Sequence, residues 1–238
     1  MTKPFLTASW KNLVFFNYIV SPSLLLPYVP AGTELDDFEG KYYSSLVGFL
    51  FQQTRMKGLA IPFHSSFEEF NLRFYVRFKS EDKWKRGVVF VKEIVPKRMV
   101  ASIARFLYGE HYYCFPMKNS LSEHNGFKEV SYSFLFKKEW NDVHVKAAAH
   151  ALPLAPGSEQ AFITEHYDGF TKLAVNKTSH YRVEHPVWNI HEVFSWKMNC
   201  NIPDLYGANF GEALNEPCSV FMADGSLVKV YPRKVYSY

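Results

Sequence analysis

Glu69, Asn71, Arg73 and Tyr75 stand two residues apart in the stretch Glu69-Phe70-Asn71-Leu72-Arg73-Phe74-Tyr75-Val76. Side chains alternate across an extended chain, so these four share one face and Phe70, Leu72, Phe74 and Val76 share the other. An acid, an amide, a guanidinium and a phenol in a row can grip a small polar molecule. The acid exchanges a proton, and the guanidinium holds an anion or a carbonyl oxygen. Positions two apart lie about 6.6 Å apart along a strand and positions four apart about 13 Å. Glu69 and Arg73 therefore cannot pair along the strand, and each needs a cross-strand partner, a ligand or water. If Glu69 is buried without a cation, its pKa rises and it can serve as an acid. The competing reading is a structural polar network that braces a sheet.

The elements around this stretch read as mostly β. Lys41 to Gln52 is rich in Tyr, Val and Phe, and Gly87 to Val91 follows the Glu69–Phe78 strand after the polar loop Lys79–Arg86. The short connection predicts an antiparallel hairpin. Apolar residues at Val100, Ile103, Ala104 and Leu107 have helical spacing, which predicts a helix over Met99–Tyr108 ended by Gly109. Tyr112 to Val145 reads as strands with a turn at Asn125-Gly126. Ser21-Pro22 opens a short capped helix and Ser158 caps a second over about Glu159–Tyr167. Thr178 to Val193 reads as strands, Ile202 to Leu214 as helix, and short strands close the chain near Val220 and Val228. With no repeat, linker or low-complexity segment, a single domain over residues 1–238 is expected, although the length also allows two small ones.

Composition narrows the function classes. Of 238 residues 47% are hydrophobic and 18% aromatic, which fits a globular, β-rich chain with aromatic-lined cavities. The net charge of +4 is spread along the chain without a nucleic-acid motif, so nucleic acid is not expected as a partner. Cys114, Cys200 and Cys218 are far apart and odd in number, arguing for reduced thiols, no disulfide framework and no cysteine zinc site. His180, His185 and His191 lack metal-ligand spacing, so no metal is expected. No Gly-x-Ser-x-Gly elbow and no glycine-rich phosphate loop occurs. Leu13 to Val20 is too short to span a bilayer, and the N-terminus does not read as a signal peptide. A cytoplasmic protein without membrane contact or cofactor is the expectation, and an oligomer is allowed.

The order of motifs resembles the YqjF-like family of the acetoacetate-decarboxylase-like superfamily over nearly the whole length. The pieces are Trp10-Lys11-Asn12-Leu13, Leu26-Pro27-Tyr28-Val29-Pro30, Phe38-Glu39-Gly40, Val47-Gly48-Phe49 and Glu69-x-Asn71-x-Arg73-x-Tyr75-Val76. Gly87-Val88-Val89-Phe90, Ala104-Arg105, Tyr112-Tyr113 and Met117 follow, then Thr164-Glu165-His166-Tyr167 and His185-Pro186-Val187-Trp188. The resemblance implies an α+β, mostly β fold: a closed, cone-like antiparallel β-barrel with flanking helices, in which inward strand faces line the cavity.

The superfamily's decarboxylases form a Schiff base between a lysine and a ketone. The matching place here is Gly109-Glu110-His111-Tyr112-Tyr113, where tyrosines replace the lysine pair and cannot form an imine. Pro96-Lys97-Arg98 imitates the lysine motif but precedes the helix, and Lys97 reads as a solvated turn residue. Glu69 takes the place of the family's acid on a barrel strand, whereas the N-terminal arginine is missing, since no Arg precedes Arg55. After Phe90 the family's usual Phe-Ser-Leu-Asp-Ala text gives way to Val91-Lys92-Glu93-Ile94-Val95.

The candidate site is therefore Glu69 as catalytic acid or base, with Asn71, Arg73, Tyr75, Arg105 and Tyr112 as ligand contacts. Arg105 reads either as a helix-surface charge or as a brace for the site. Tyr112 reads either as a donor to a ligand carbonyl or as a core tyrosine. The partner is a small carbonyl- or carboxylate-bearing molecule. An enzyme acting on small keto or carboxylic compounds through Glu69 is one alternative, and a structural protein whose barrel is filled by its own side chains is another.

Overall fold

The structure, a computed structural model, describes residues 3–238. Its strands are β1 (Leu6–Ile19), β2 (Glu34–Leu35), β3 (Tyr43–Met56), β4 (Leu59–Ala60), β5 (Phe67–Ser80), β6 (Lys83–Val95), β7 (Tyr112–Cys114), β8 (Met117–His124) and β9 (Phe127–Phe136). They continue with β10 (Glu139–Ala148), β11 (Asp168–Ala174), β12 (Lys177–Glu184), β13 (Ile190–His191), β14 (Val193–Asn199), β15 (Ser219–Ala223), β16 (Leu227–Val230) and β17 (Lys234–Ser237). The helices are short apart from one: α1 (Pro22–Leu25), α2 (Arg98–Tyr108), α3 (Glu159–Thr164), α4 (Ile202–Tyr206) and α5 (Ala208–Ala213). None is long and apolar enough to cross a membrane among the described residues.

Thirteen strands form one sheet, in the order β13-β15-β1-β16-β12-β11-β6-β5-β3-β4, with β2, β7 and β17 on side branches and β1 also paired to β3. Strands β14-β10-β9-β8 form a second, smaller sheet. Pairing is mostly antiparallel, and the two parallel pairs, β6–β11 and β6–β7, both involve the strand beside β5.

Alternation on β5 sorts two cores. Phe70, Leu72, Phe74 and Val76 face the small sheet and bury against residues such as Val130, Tyr132, Phe134 and Val145, together with Ile202 and Phe210 from α4 and α5. The opposite face carries Phe67 and Tyr75 into a second cluster with Phe15, Phe49, Phe51, Ala101 and Tyr108 of α2 and Phe162 and Ile163 of α3. One face of the strand is thus welded to the small sheet, and the other is roofed by helices.

Local chemistry explains the main boundaries. Glu81 and Asp82 both take positive φ (51° and 59°) at the tip of the β5–β6 hairpin, where Ser80 pairs with Lys83 in a two-residue turn. Gly109 closes α2 at φ 76°, its N–H reaching the Arg105 carbonyl. Ser158 caps α3 by accepting from the Ala161 N–H at 3.2 Å.

Three boundaries differ from the sequence expectation. The stretch after Ser158 is helical only to Thr164, which leaves His166 outside the helix. Residues 202–214 divide into two helices at Gly207, whose φ of 99° and ψ of 159° no helix accommodates. The Thr178–Val193 region breaks after Glu184, because Pro186 cannot continue the ladder.

Candidate functional site

Glu69, Asn71 and Arg73 line a cavity of about 140 Å³ between the sheet, α2 and the segment after α3. Their relative exposures are 3%, 1% and 8%, so each must find its partners inside the protein or in a ligand. Glu69 is held at both oxygens: Asn71 Nδ2 donates to Oε1 at 3.0 Å and the Tyr112 hydroxyl donates to Oε2 at 2.9 Å. The amide two residues along the strand is thus a direct partner of the acid. Arg73 Nη2 donates to the Ile163 carbonyl at 3.2 Å, and its guanidinium lies over the rings of Phe15 and Tyr75 at 5.1 and 5.7 Å. Its Nε has no partner, and no carboxylate among the described residues forms an ion pair with it.

A β-bulge brings in a second acid. Leu72 pairs with Lys92 but Arg73 pairs with Phe90, so β6 carries one extra residue, Val91, at that point. Beyond the bulge Glu93 lies opposite Asn71. Strict alternation from Phe90 would instead have turned Lys92 towards the cavity. Lys92 points the other way, with Nζ on the Leu205 carbonyl and over the rings of Tyr113 and Tyr206. Glu93 is 1% exposed, with Oε2 unpartnered. A third acid, Glu110, sits just before β7 and accepts from the hydroxyl of Tyr181 on β12.

Burial pushes all three carboxyls up. Glu69 rises to about 7, pulled back by its bonds from Asn71 and Tyr112 and by the charge of Arg73. Glu110 rises to about 8, with burial opposed by the Tyr181 hydrogen bond and assisted by Glu69. Glu93 is raised well above the carboxylate range by burial, then by Glu110 and Glu69. His166 is pushed in the neutral direction by burial and by the nearby Arg73 and Arg86. Its ring stacks on Tyr75 at 4.7 Å, both ring nitrogens lack a partner, and it lines the cavity. Burial thus favours the protonated forms of Glu93 and Glu110, while Glu69, at about 7, is near its midpoint at neutral pH.

A family profile described as "Uncharacterized conserved protein (COG2071)", DUF2071, matches residues 7–226. The chain belongs to this family. It is 27% identical over 212 residues to the uncharacterized protein YqjF of Bacillus subtilis (strain 168), covering 86% of this chain and 83% of that one. Among solved structures it is similar to acetoacetate decarboxylase from Legionella pneumophila (TM-score 0.67, 13% identity, 100% of this chain and 89% of that chain). It is also similar to the enduracididine biosynthesis enzyme MppR complexed with pyruvate (TM-score 0.67, 12% identity, 99% and 91%). At these identities the structural likenesses establish the fold, which is the mostly β acetoacetate-decarboxylase-like one.

The residues singled out in the sequence divide into two groups. Glu69, Asn71, Arg73 and Tyr112 converge on the cavity. Tyr75 lies behind it: its hydroxyl bonds Ser45 Oγ at 2.7 Å, Ser45 donates to Asn17 Oδ1 at 2.7 Å, and its ring supports His166. Arg105 does not reach the site. It is exposed on α2, where its Nε bonds back to the Ala101 carbonyl at 3.3 Å, so its surface-charge reading is the one the geometry matches. Lys97 stands at the N-cap position of α2 without a capping hydrogen bond from its side chain, and no lysine is among the described lining residues. The three spaced histidines separate: His180 bonds Asp168 at 2.6 Å, His191 bonds the Ala148 carbonyl, and His185 stacks on Trp188 at the cavity wall. Among the described residues no group of three or more His, Cys, Asp or Glu is arranged to hold a metal ion.

Sequence reasoning missed Glu93, Glu110, His166 and Tyr181. Glu93 was named only within the Val91–Val95 segment that departs from the family text, whose aspartate position falls on Ile94. Glu110 and His166 lie inside motif pieces that were read for other residues. Tyr181 carries no local signal and enters only through the fold.

Proposed function

We propose that this protein binds a small carbonyl- or carboxylate-bearing molecule in the Glu69–Arg73 cavity, without Schiff-base chemistry. The observation that carries the reading is Arg73: a buried guanidinium on the cavity wall with an unpartnered Nε and no carboxylate ion-pair partner among the described residues. A buried charge of this kind is costly unless paired, and an anionic or carbonyl oxygen from a ligand supplies the missing partner. Burial favours the protonated forms of Glu93 and Glu110, which are hydrogen-bond donors rather than repelling charges. The unpartnered nitrogens of His166 offer a further contact for a ligand oxygen or hydroxyl.

The interior-face reading is supported by the pairing of β1 with both β3 and β16. Following partners from β1 through β16, β12, β11, β6, β5 and β3 leads back to β1, which is the connectivity of a closed barrel. The keto acid in the pyruvate complex of MppR supports the ligand class. The three free cysteines support a reducing, cytoplasmic setting.

Titration calorimetry with acetate, butanoate, pyruvate and acetoacetate tests the reading. Binding that is lost in Arg73→Leu is the expected outcome, and affinity indifferent to Arg73 sinks it. Borohydride treatment with acetoacetate should label no lysine.

A second reading has Glu69 as a general acid or base, favoured by its pKa of about 7, close to the optimum for proton transfer near neutral pH. Turnover of a bound keto acid that disappears in Glu69→Gln supports it, and turnover untouched by that change removes it.

A further inference from the structure

The polar floor of the cavity is continued by an apolar throat. Towards the surface the wall passes through Phe51, Ile61, Val100 and Ile103. Outside it a shallow groove runs between α2 and β4, and Phe5, Met56, Ile61 and Ile103 line both spaces. The rim exposes large apolar side chains that a buried strand pattern does not require: Leu59 at 73% and Phe106 at 81%. An anion anchor at one end and a continuous apolar path to solvent at the other match one ligand shape.

We infer that the ligand is an amphipathic monocarboxylate: its carboxylate meets Arg73, and a straight apolar chain runs up the throat and leaves between Ile61 and Ile103. This rests on the Arg73 reading above and adds the chain. The cavity volume, about 140 Å³, is close to the roughly 150 Å³ of an apolar cavity that takes up benzene. It holds a chain of about six carbons before the groove begins. The side of the throat formed by α2 comes from Val100, Ile103 and Ala104, the apolar stripe of that helix.

The experiment is calorimetric titration of the full chain with butanoate, hexanoate, octanoate and decanoate, and with the matching 1-alkanols. Each buried methylene should tighten binding about fourfold, the value of moving a CH₂ out of water, up to about octanoate and less beyond it. The acids should bind better than the alkanols at every length. Ile103→Gln, at a half-buried position that tolerates a polar side chain, should weaken octanoate more than butanoate.

Equal affinity for butanoate and octanoate, with binding still dependent on Arg73, overturns the chain inference and leaves the anion site standing. Chain-length dependence that Ile103→Gln does not alter places the chain elsewhere and also overturns it. Alkanols binding as tightly as acids, or no acid binding at all, overturns the Arg73 reading itself. The acid–alkanol comparison uses the native protein, so it decides the matter even if Arg73→Leu fails to fold.

Discussion

Arg73 and the acids around it have opposite electrostatic needs, and the site follows from the difference. The guanidinium calls for an anionic or carbonyl oxygen partner, while the carboxyls respond to burial by holding protons. Replacing Arg73 by Leu removes a buried charge that has no ion-pair partner among the described residues. Thermal melts should show stability unchanged or raised by about 1 kcal/mol, with anion binding lost; a large destabilisation would mean that Arg73 serves the fold instead. The acids carry a pH signature. Glu69 and Glu110 have folded pKa values of about 7 and 8, raised from an ordinary 4.5. Between about pH 4.5 and 8 the native state therefore binds more protons than the unfolded state. Their contribution is fully present below pH 4.5 and is lost as pH rises through 7 to 8. Denaturant melts from pH 4.5 to 9 should record this fall, and Glu110→Gln should flatten it. Anion affinity should drop over the upper part of the same window, as Glu69 and Glu110 become negative beside the ligand. The polar face of Glu69-x-Asn71-x-Arg73 was legible because alternation is a local property of extended backbone. The partners of those side chains were not, since they come from β7, α3 and β12.

At the scale of elements, two irregularities compose the site. The Val91 bulge turns two successive residues, Val91 and Lys92, away from the cavity and places Glu93 opposite Asn71, on the strand face that carries Glu69. An alternating pattern read from Phe90 onward puts the wrong residue inside, and one extra residue in a ladder has no reliable local marker. The other irregularity is Gly169 on β11, where an added Cβ would lie 2.3 Å from the ring of Tyr181. The glycine lets that ring cross β11 and bring its hydroxyl to Glu110. Gly169→Ala should displace Tyr181 and cost about 1–3 kcal/mol by overpacking. It should also deprive Glu110 of its phenol donor, which raises the pH at which the stability loss ends. A melt at neutral pH indistinguishable from that of the unaltered protein would show that the contact is unimportant. The early end of α3 works similarly. The Ser158 cap predicts a helix to about Tyr167, yet the helix ends at Thr164 and frees His166 to stack on Tyr75.

Across the whole molecule, stability and site lie on opposite faces of the same strand. Phe70 and Phe134, both fully buried with ring centroids 5.1 Å apart, join the large sheet to the small one. Phe134→Ala should cost about 3–5 kcal/mol in chemical denaturation, while the affinity for a small carboxylate changes little. A loss of affinity comparable to that of Arg73→Leu would show that the small sheet also shapes the cavity.

The sequence by itself determined the mostly β class, the two faces of β5, the hairpin to β6, the span of α2 and, through ordered motifs, the family. Each rests on neighbours in the chain or on a pattern that survives without knowing what lies opposite. Tertiary structure alone decided that Glu69 is clustered with two further buried acids, Glu93 and Glu110, that Arg73 has no ion-pair partner among the described residues, that Arg105 stays outside and that His166 lines the cavity. These depend on which distant strands are adjacent, on a one-residue bulge and on how deeply a group is buried, and burial sets the charge of the site.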